Sequence, residues 1–586
     1  MPSEALFRTF SLVICARLVI STSIPSSDAP VVHTDHGPIL GRKLALPARH
    51  VDAFYGIPFA EPPVGKLRFQ RPVPAKPWKG IYNATVKPKP CWQYDVPYST
   101  ITLNYLDASI SSEDCLFLNV WRPSSVCSQS GKCDTKLPVV VYIYGGGFQI
   151  GDSSLFLSDP ANFVSLSDVI YVTMNHRMGV LGFLASGRKE LPGNLGLWDQ
   201  NLALKWVRDN IGRFGGNPNR ITLSGFSSGA ISAGLHAISP HSQKLFSRLI
   251  LQSSTPLSLA VGLTAAGAGK FLNVAGALDC FTGEKDWSND VSEIVTCLQK
   301  PDAETIYRTL KKGDPINQFF SPVYGDEFLP VDIRSKEIWK SLSTKEILLG
   351  STSNEGSYFL DFLKSQVPQL TEVLSIDYRL AGTVALSTLL DAPLASAKQI
   401  VHAYFGDDSV EHDETSLNSI LEKIFGDVVV DCPTILFGEV AAELGIKAYR
   451  YIFAHRPSYS IWPKSFGPTH NDDLAFTLGY LPFINDTSRF TPPLGEGVRK
   501  ILKGIRYTQD ELAFMKELIG TWTSFIETGK PSIPSSTTEW PRYSASNPEC
   551  IYLRPHNYTR VLTPRRDICE LWRPLLLRET SQHNEE

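Results

Sequence analysis

The chain has 586 residues, 43% of them apolar and 20% charged, with a formal net charge of -3. That composition supplies a large core and excludes a disordered or fibrous polypeptide. Neither sign of charge dominates and no basic run exceeds Arg565–Arg566, so nothing global points to nucleic acid or an anionic membrane surface.

At the N-terminus, Arg8 precedes a mostly apolar run from Phe10 to Ile20, broken by Arg17 and followed by small and polar residues. This reads as an export signal over residues 1–25, leaving a folded unit over 28–577 and a polar tail over 578–586. After the signal no stretch of about 18 uninterrupted apolar residues occurs, so no spanning helix is expected. The polar tail predicts neither a glycolipid anchor nor a retention signal.

Along the folded unit, Leu137–Tyr144 is a continuous apolar, β-branched and aromatic run ending at three glycines. Asp168–Met174, Arg220–Leu223, Arg248–Gln252 and Glu346–Gly350 have the same character. Short runs without polar alternation suit strands buried on both faces, as in a parallel sheet. Between them Leu197–Ile211 has helical spacing and stops before Gly212. This alternation predicts an α/β fold with a central, mostly parallel twisted sheet flanked by helices. Ser124–Lys136 and Asp407–Ser416 read as surface loops.

Gly225-Phe226-Ser227-Ser228-Gly229 matches G-x-S-x-G between a predicted strand and a predicted helix. A serine at so sharp a turn occupies strained backbone, and the small flanking residues let strand and helix approach closely. The helix N-terminus behind it favours developing negative charge. Gly145-Gly146-Gly147 ends the strand before Phe148 and leaves N–H groups unshielded by side chains. With the N–H of Ser228, those of Gly146 and Gly147 are the candidate oxyanion hole; losing one such donor typically costs about 3 kcal/mol in the transition state.

These motifs, with Phe54–Ala60, Ser112–Val120, Asn175–Phe183, Gly193–Gln200 and Phe214–Pro218, resemble the type B carboxylesterase and cholinesterase family of α/β-hydrolases. The resemblance runs from about Val31 to Leu577 and implies ester hydrolysis through an acyl-enzyme on Ser227. It places the acid at Glu355, after the run Ile347–Gly350, and the base at His470 in Gly467–Asp473. The order Ser, acid, His is that of α/β-hydrolases, and imidazole is the group that can take and return the serine proton near neutrality. No cofactor or metal is implied, because side chains and backbone donors complete this chemistry.

Two positions depart from the family pattern. Phe226 stands where most active relatives carry Glu, and Tyr105 stands where the family has a choline-binding tryptophan. Losing an anion and the best cation–π partner predicts weak preference for choline esters. Phe148, Phe226, Tyr105, Tyr358 and Phe359 are the candidate pocket residues. The family pattern implies disulfides Cys91–Cys115, Cys280–Cys297 and Cys432–Cys569, while Cys127 and Cys133 are near enough to close a loop of their own. Cys550 is left over, either buried and free or available to another chain. Sequons at Asn83, Asn485 and Asn557 agree with a secreted glycoprotein. The expected partner is a small ester. The alternatives are an esterase of narrow specificity (cholinesterase-like, hormone or lipid) and a non-catalytic, neuroligin-like binding protein on the same fold.

Overall fold

The computed structural model describes residues 29–93, 110–128, 132–133, 135–155, 158–258, 262–283, 287, 290–312, 319–366, 378–389, 392–407, 412–486 and 503–578. The expected signal, the polar tail beyond residue 578 and Tyr105 lie outside the described residues.

Among the described residues, eleven strands form the main sheet. In chain order they are β1 (Arg42–Leu44), β2 (Val51–Pro58), β3 (Phe117–Pro123), β4 (Leu137–Ile143), β5 (Ile170–Met174) and β6 (Gly216–Phe226). There follow β7 (Arg248–Gln252), β8 (Glu346–Thr352), β9 (Lys447–Phe453), β10 (Glu549–Arg554) and β11 (Asn557–Leu562). Their spatial order is β11-β10-β9-β8-β7-β6-β4-β5-β3-β2-β1. The strands from β4 to β10 run parallel to one another, whereas β1, β2, β3 and β11 add antiparallel pairings at the two edges.

The absence of polar alternation in the central strands has a plain cause. Within β4, Val139, Val141 and Ile143 enter one core while Val140 and Tyr142 enter the other, so every residue faces packed side chains. Helices α1 (Leu195–Asn210), α2 (Ser228–Ile238) and α4 (Cys432–Glu443) bury their apolar residues in the first core. Helix α5 (Gln509–Thr528) buries Phe514, Met515, Leu518, Ile519, Trp522 and Phe525 in the second. Helix α3 (Gly356–Gln366) follows β8 after the short turn Ser353-Asn354-Glu355.

The expected strands are present, with β6 starting earlier than the Arg220–Leu223 run and reaching Phe226. The predicted helix Leu197–Ile211 begins at Leu195 and ends at Asn210, giving way to a 3-10 turn over Ile211–Phe214. The loop expected over Asp407–Ser416 is shorter: Asp413 accepts the N–H of Ser416 and starts a helix over Glu414–Gly426. That N-cap was present in the sequence as Asp followed by Glu.

The four expected disulfides are formed, Cys91–Cys115, Cys127–Cys133, Cys280–Cys297 and Cys432–Cys569. Cys550 is free and fully buried in β10, which excludes it from pairing with another chain in this conformation.

Candidate active site

Three chain segments converge at the C-terminal ends of β4, β6 and β8. Strand β6 runs into Ser227, whose φ of 53° and ψ of -125° hold a non-glycine residue in strained backbone, and α2 begins at once. Two residues away on either side only glycine fits. A Cβ on Gly225 would lie 2.1 Å from the Gly229 carbonyl oxygen, and one on Gly229 would lie 2.1 Å from that of Ile143. The turn is pinned by the Ser227 N–H donating to the Gln252 carbonyl at 2.8 Å, leaving the side chain half-buried at the surface of the site. The N–H of Ser228, in the first turn of α2, has no intrahelical acceptor.

The glycine loop lies against this turn: a Cβ on Gly145 would sit 2.9 Å from the Cβ of Ser227. Gly146 has φ 129° and Gly147 φ 61°, and a Cβ on Gly146 would collide with the Ile150 carbonyl oxygen at 2.0 Å. The Gly146 carbonyl accepts from the N–H groups of Gln149 and Ile150, at 3.0 and 3.2 Å. Because a peptide unit is planar and trans, the N–H of Gly147 then points the opposite way. A Cβ on Gly147 would meet nothing within 4 Å, so its backbone faces open space.

Glu355 is 1% exposed and ends the turn after β8. One carboxylate oxygen accepts the Thr352 N–H at 2.7 Å, and the other meets His470 Nδ1 at 2.6 Å. The His470 loop is laced to the acid's own turn. The Asn354 N–H donates to the Pro468 carbonyl at 3.0 Å, Asn354 Nδ2 to the Phe466 carbonyl at 2.6 Å, and Ser357 and Thr469 share a hydroxyl contact of 2.7 Å. Three rings enclose the imidazole, those of Phe226, Phe359 and Tyr358, with centroids 4.6, 4.8 and 5.1 Å away. The Ser227 hydroxyl makes no hydrogen bond to the imidazole in this conformation; Phe226, its chain neighbour, supplies the contact between the two segments. Such bonds tighten when substrate binds.

Of the expected pocket residues, Phe226, Tyr358 and Phe359 therefore surround His470. Phe148 instead packs edge-on against Phe183 at 5.1 Å and is 2% exposed, inside the first core. Two further histidines, His176 and His236, are poor bases, because burial pushes them down to about 3 and holds both neutral. Among the described residues, no group of three His, Cys, Asp or Glu could hold a metal ion.

The site also contains groups the sequence reading passed over. Asp473, fully buried, accepts from Gln252 Nε2 at 3.1 Å and from the Tyr451 hydroxyl at 3.4 Å. Burial, with Glu355 nearby, pushes its carboxyl up to about 6. Asp472 accepts the Thr469 N–H at 3.0 Å, and burial pushes it up to about 8. The consecutive acids beside His470 were the available signal for these two. Of the sequons, Asn83 and Asn557 are exposed, whereas Asn485 is half-buried.

The carboxylesterase family model matches residues 28–572. The chain is 33% identical over 559 residues to acetylcholinesterase-1 of Trittame loki, covering 93% of this chain and 94% of that one. It is 33% identical to the acetylcholinesterase of Bungarus fasciatus, covering 94% and 88%, and 31% identical to that of Leptinotarsa decemlineata, covering 95% and 88%. A strand–turn–helix serine, a glycine loop and a carboxylate-bound histidine on one mostly parallel sheet agree with these matches, and the chain belongs to the carboxylesterase family as a serine hydrolase of carboxylic esters.

Proposed function

We propose that this protein is a secreted esterase of broad rather than choline-directed specificity, working through an acyl-enzyme on Ser227. Ser227 Oγ attacks the ester carbonyl while Nε2 of His470 takes its proton. Glu355 holds Nδ1 at 2.6 Å, which sets the tautomer and stabilises the imidazolium. The N–H groups of Gly146, Gly147 and Ser228 receive the tetrahedral oxyanion. The imidazolium then protonates the leaving alcohol, and water repeats the sequence on the acyl-enzyme. The observation that carries this reading is the Glu355–His470 pair, buried beside the Ser227 turn.

The expected result is that an organophosphonate labels Ser227 and that Ser227→Ala abolishes hydrolysis of p-nitrophenyl esters. Retained hydrolysis in that variant overturns the mechanism. Substitution of Glu355 by Gln lowers kcat by roughly 10³- to 10⁴-fold, by analogy with removing the charge of a triad acid.

The relatives carry the name acetylcholinesterase, which favours a narrower reading. Against it stands Phe226, an aromatic ring on the imidazole where a carboxylate would attract a cation. Comparing acetylthiocholine with its uncharged dimethylbutyl analogue separates the two readings. Nearly equal kcat/KM values support the broad esterase, and a strong choline preference overturns it.

Secretion is supported by four disulfides and by exposed sequons at Asn83 and Asn557. Among the described residues no helix is long and apolar enough to cross a membrane. Expression in a secreting host should place the protein in the medium, with a mass reduced by N-glycosidase; retention in the cell would remove this part of the proposal.

A further inference from the structure

The glycine loop presents a physical difficulty. Preorganised N–H donors lower a barrier only if they are already aimed, yet glycine is the residue least able to hold a backbone conformation by itself. Gly147 has no neighbour within 4 Å of where a side chain would start, so steric packing does not hold it.

Two buried carboxamides supply what sterics do not. Gln149, 4% exposed, donates Nε2–H to the Gly147 carbonyl at 2.9 Å and also to the Phe320 carbonyl. Its Oε1 accepts the Phe320 N–H at 3.2 Å, so the side chain pairs with that residue's backbone as a neighbouring strand would. Gln93, 2% exposed, does the same at the loop's other end. It accepts the Gly151 N–H at 2.8 Å and donates to the carbonyls of Gly151 and Cys91, at 3.1 and 2.9 Å. Both peptide units flanking Gly147 thus have their carbonyls held from within the protein: Gly146 by the backbone of Gln149 and Ile150, and Gly147 by the Gln149 side chain.

We propose that Gln149 and Gln93 are positioning residues that hold the glycine loop in oxyanion-binding shape, clamping it to Phe320 on one side and to the Cys91–Cys115 segment on the other. This rests on the acyl-enzyme reading above. Gln149 fixes the peptide unit that follows Gly147 and Gln93 fixes the far end of the loop at Gly151, and together they restrict the rotation about Gly147 that would turn its N–H away. Being uncharged, they set the height of the barrier without altering its pH dependence.

The test uses Gln149→Met, which keeps the length and loses the hydrogen bonds, and Gln149→Glu, which turns an acceptor-only group towards two carbonyl oxygens. In Q149M, kcat falls roughly 10- to 100-fold and KM changes little, since the loop serves the transition state more than the ground state. Inhibition by a trifluoromethyl ketone, which needs the oxyanion hole for its hemiketal, weakens in proportion. The acid limb of the pH–rate profile stays where it is in the parent, and Q149E is slower still. A folded Q149M with parent kcat and parent ketone affinity overturns the inference, as does a rate loss carried wholly by KM. Gln93→Met supplies the same readings if the position-149 variants do not fold. Ser227→Ala, run in parallel, separates the failures: an active S227A removes the acyl-enzyme reading, whereas an inactive S227A beside an unimpaired Q149M removes only the clamp.

Discussion

At the residue scale, the environment of His470 departs most from what a sequence motif conveys. Phe226 precedes Ser227 in the chain, yet its ring lies on the imidazole of a residue far along the sequence, 4.6 Å between centroids. An acid at that position would stand within a few ångströms of any cationic leaving group. Phe226→Glu should therefore raise kcat/KM for a choline ester relative to its neutral isostere by roughly tenfold, equivalent to about 1.4 kcal/mol of differential Coulomb attraction. Steady-state kinetics on the ester pair checks it; an unchanged ratio would mean the alcohol does not approach this ring.

The junction between β6 and α2 is the element on which the site depends. Gly229 lets the first turn of α2 lie against the end of β4, and a Cβ there would be 2.1 and 2.5 Å from the carbonyl oxygens of Ile143 and Tyr144. Ile143 is the last residue of β4 and pairs with Gly225, so its oxygen cannot move without disturbing that pairing. Gly229→Ala should abolish activity and lower the thermal midpoint, and a variant with parent activity would contradict the packing described. A second element-scale case is α5, whose N-terminus carries a capping box between Thr508 and Glu511. Burial alone would raise the Glu511 carboxyl, but hydrogen bonds from His455, Ser458 and Thr508 outweigh it and hold the group at about 2. A carboxylate depressed on folding stabilises the protein above its unfolded value, and that contribution is lost as the pH falls towards 2. Glu511→Gln should lower the melting temperature at neutral pH, and the difference from the parent should shrink from about pH 4.5 downwards.

For the whole molecule, the same linkage runs the other way. Burial pushes Asp152 and Asp431 up to about 7, Asp472 to about 8 and Asp473 to about 6. In the unfolded chain these groups titrate near about 3.9, so over the intervening range the folded state binds more protons and stability falls as pH rises. His176 and His236, held at about 3, oppose this only below the unfolded imidazole value. The four acids outnumber the two histidines, so the thermal midpoint should decline between about pH 5 and pH 8. Asp152 is the cleanest probe, because one of its oxygens has no partner and the other accepts only the Ser154 N–H. In Asp152→Asn that hydrogen bond survives while the ionisation cost disappears. The variant should gain on the parent as the pH rises to about 7 and hold that gain beyond it. Calorimetry across the range tests both statements.

The sequence by itself determined what is local or repetitive. Continuous apolar runs mark strands covered on both faces, and a serine between two glycines marks a backbone too tight for side chains. Both are written in neighbouring residues, because the steric and hydrophobic constraints behind them act over a few positions. The expectation of an acid at Glu355 and a base at His470 comes only with the family resemblance. Only the tertiary structure decided which rings stand around His470, and that Phe148 turns into the core instead. It alone showed that Cys550 is buried and that Gln93 and Gln149 hold the glycine loop. A glutamine far from its partner carries no periodicity and no motif; its role is fixed by a hydrogen bond across 58 or 171 residues of chain. Such contacts exist only once the sheet has brought its strand ends together, because distance in space and distance in sequence are unrelated in a fold of this kind.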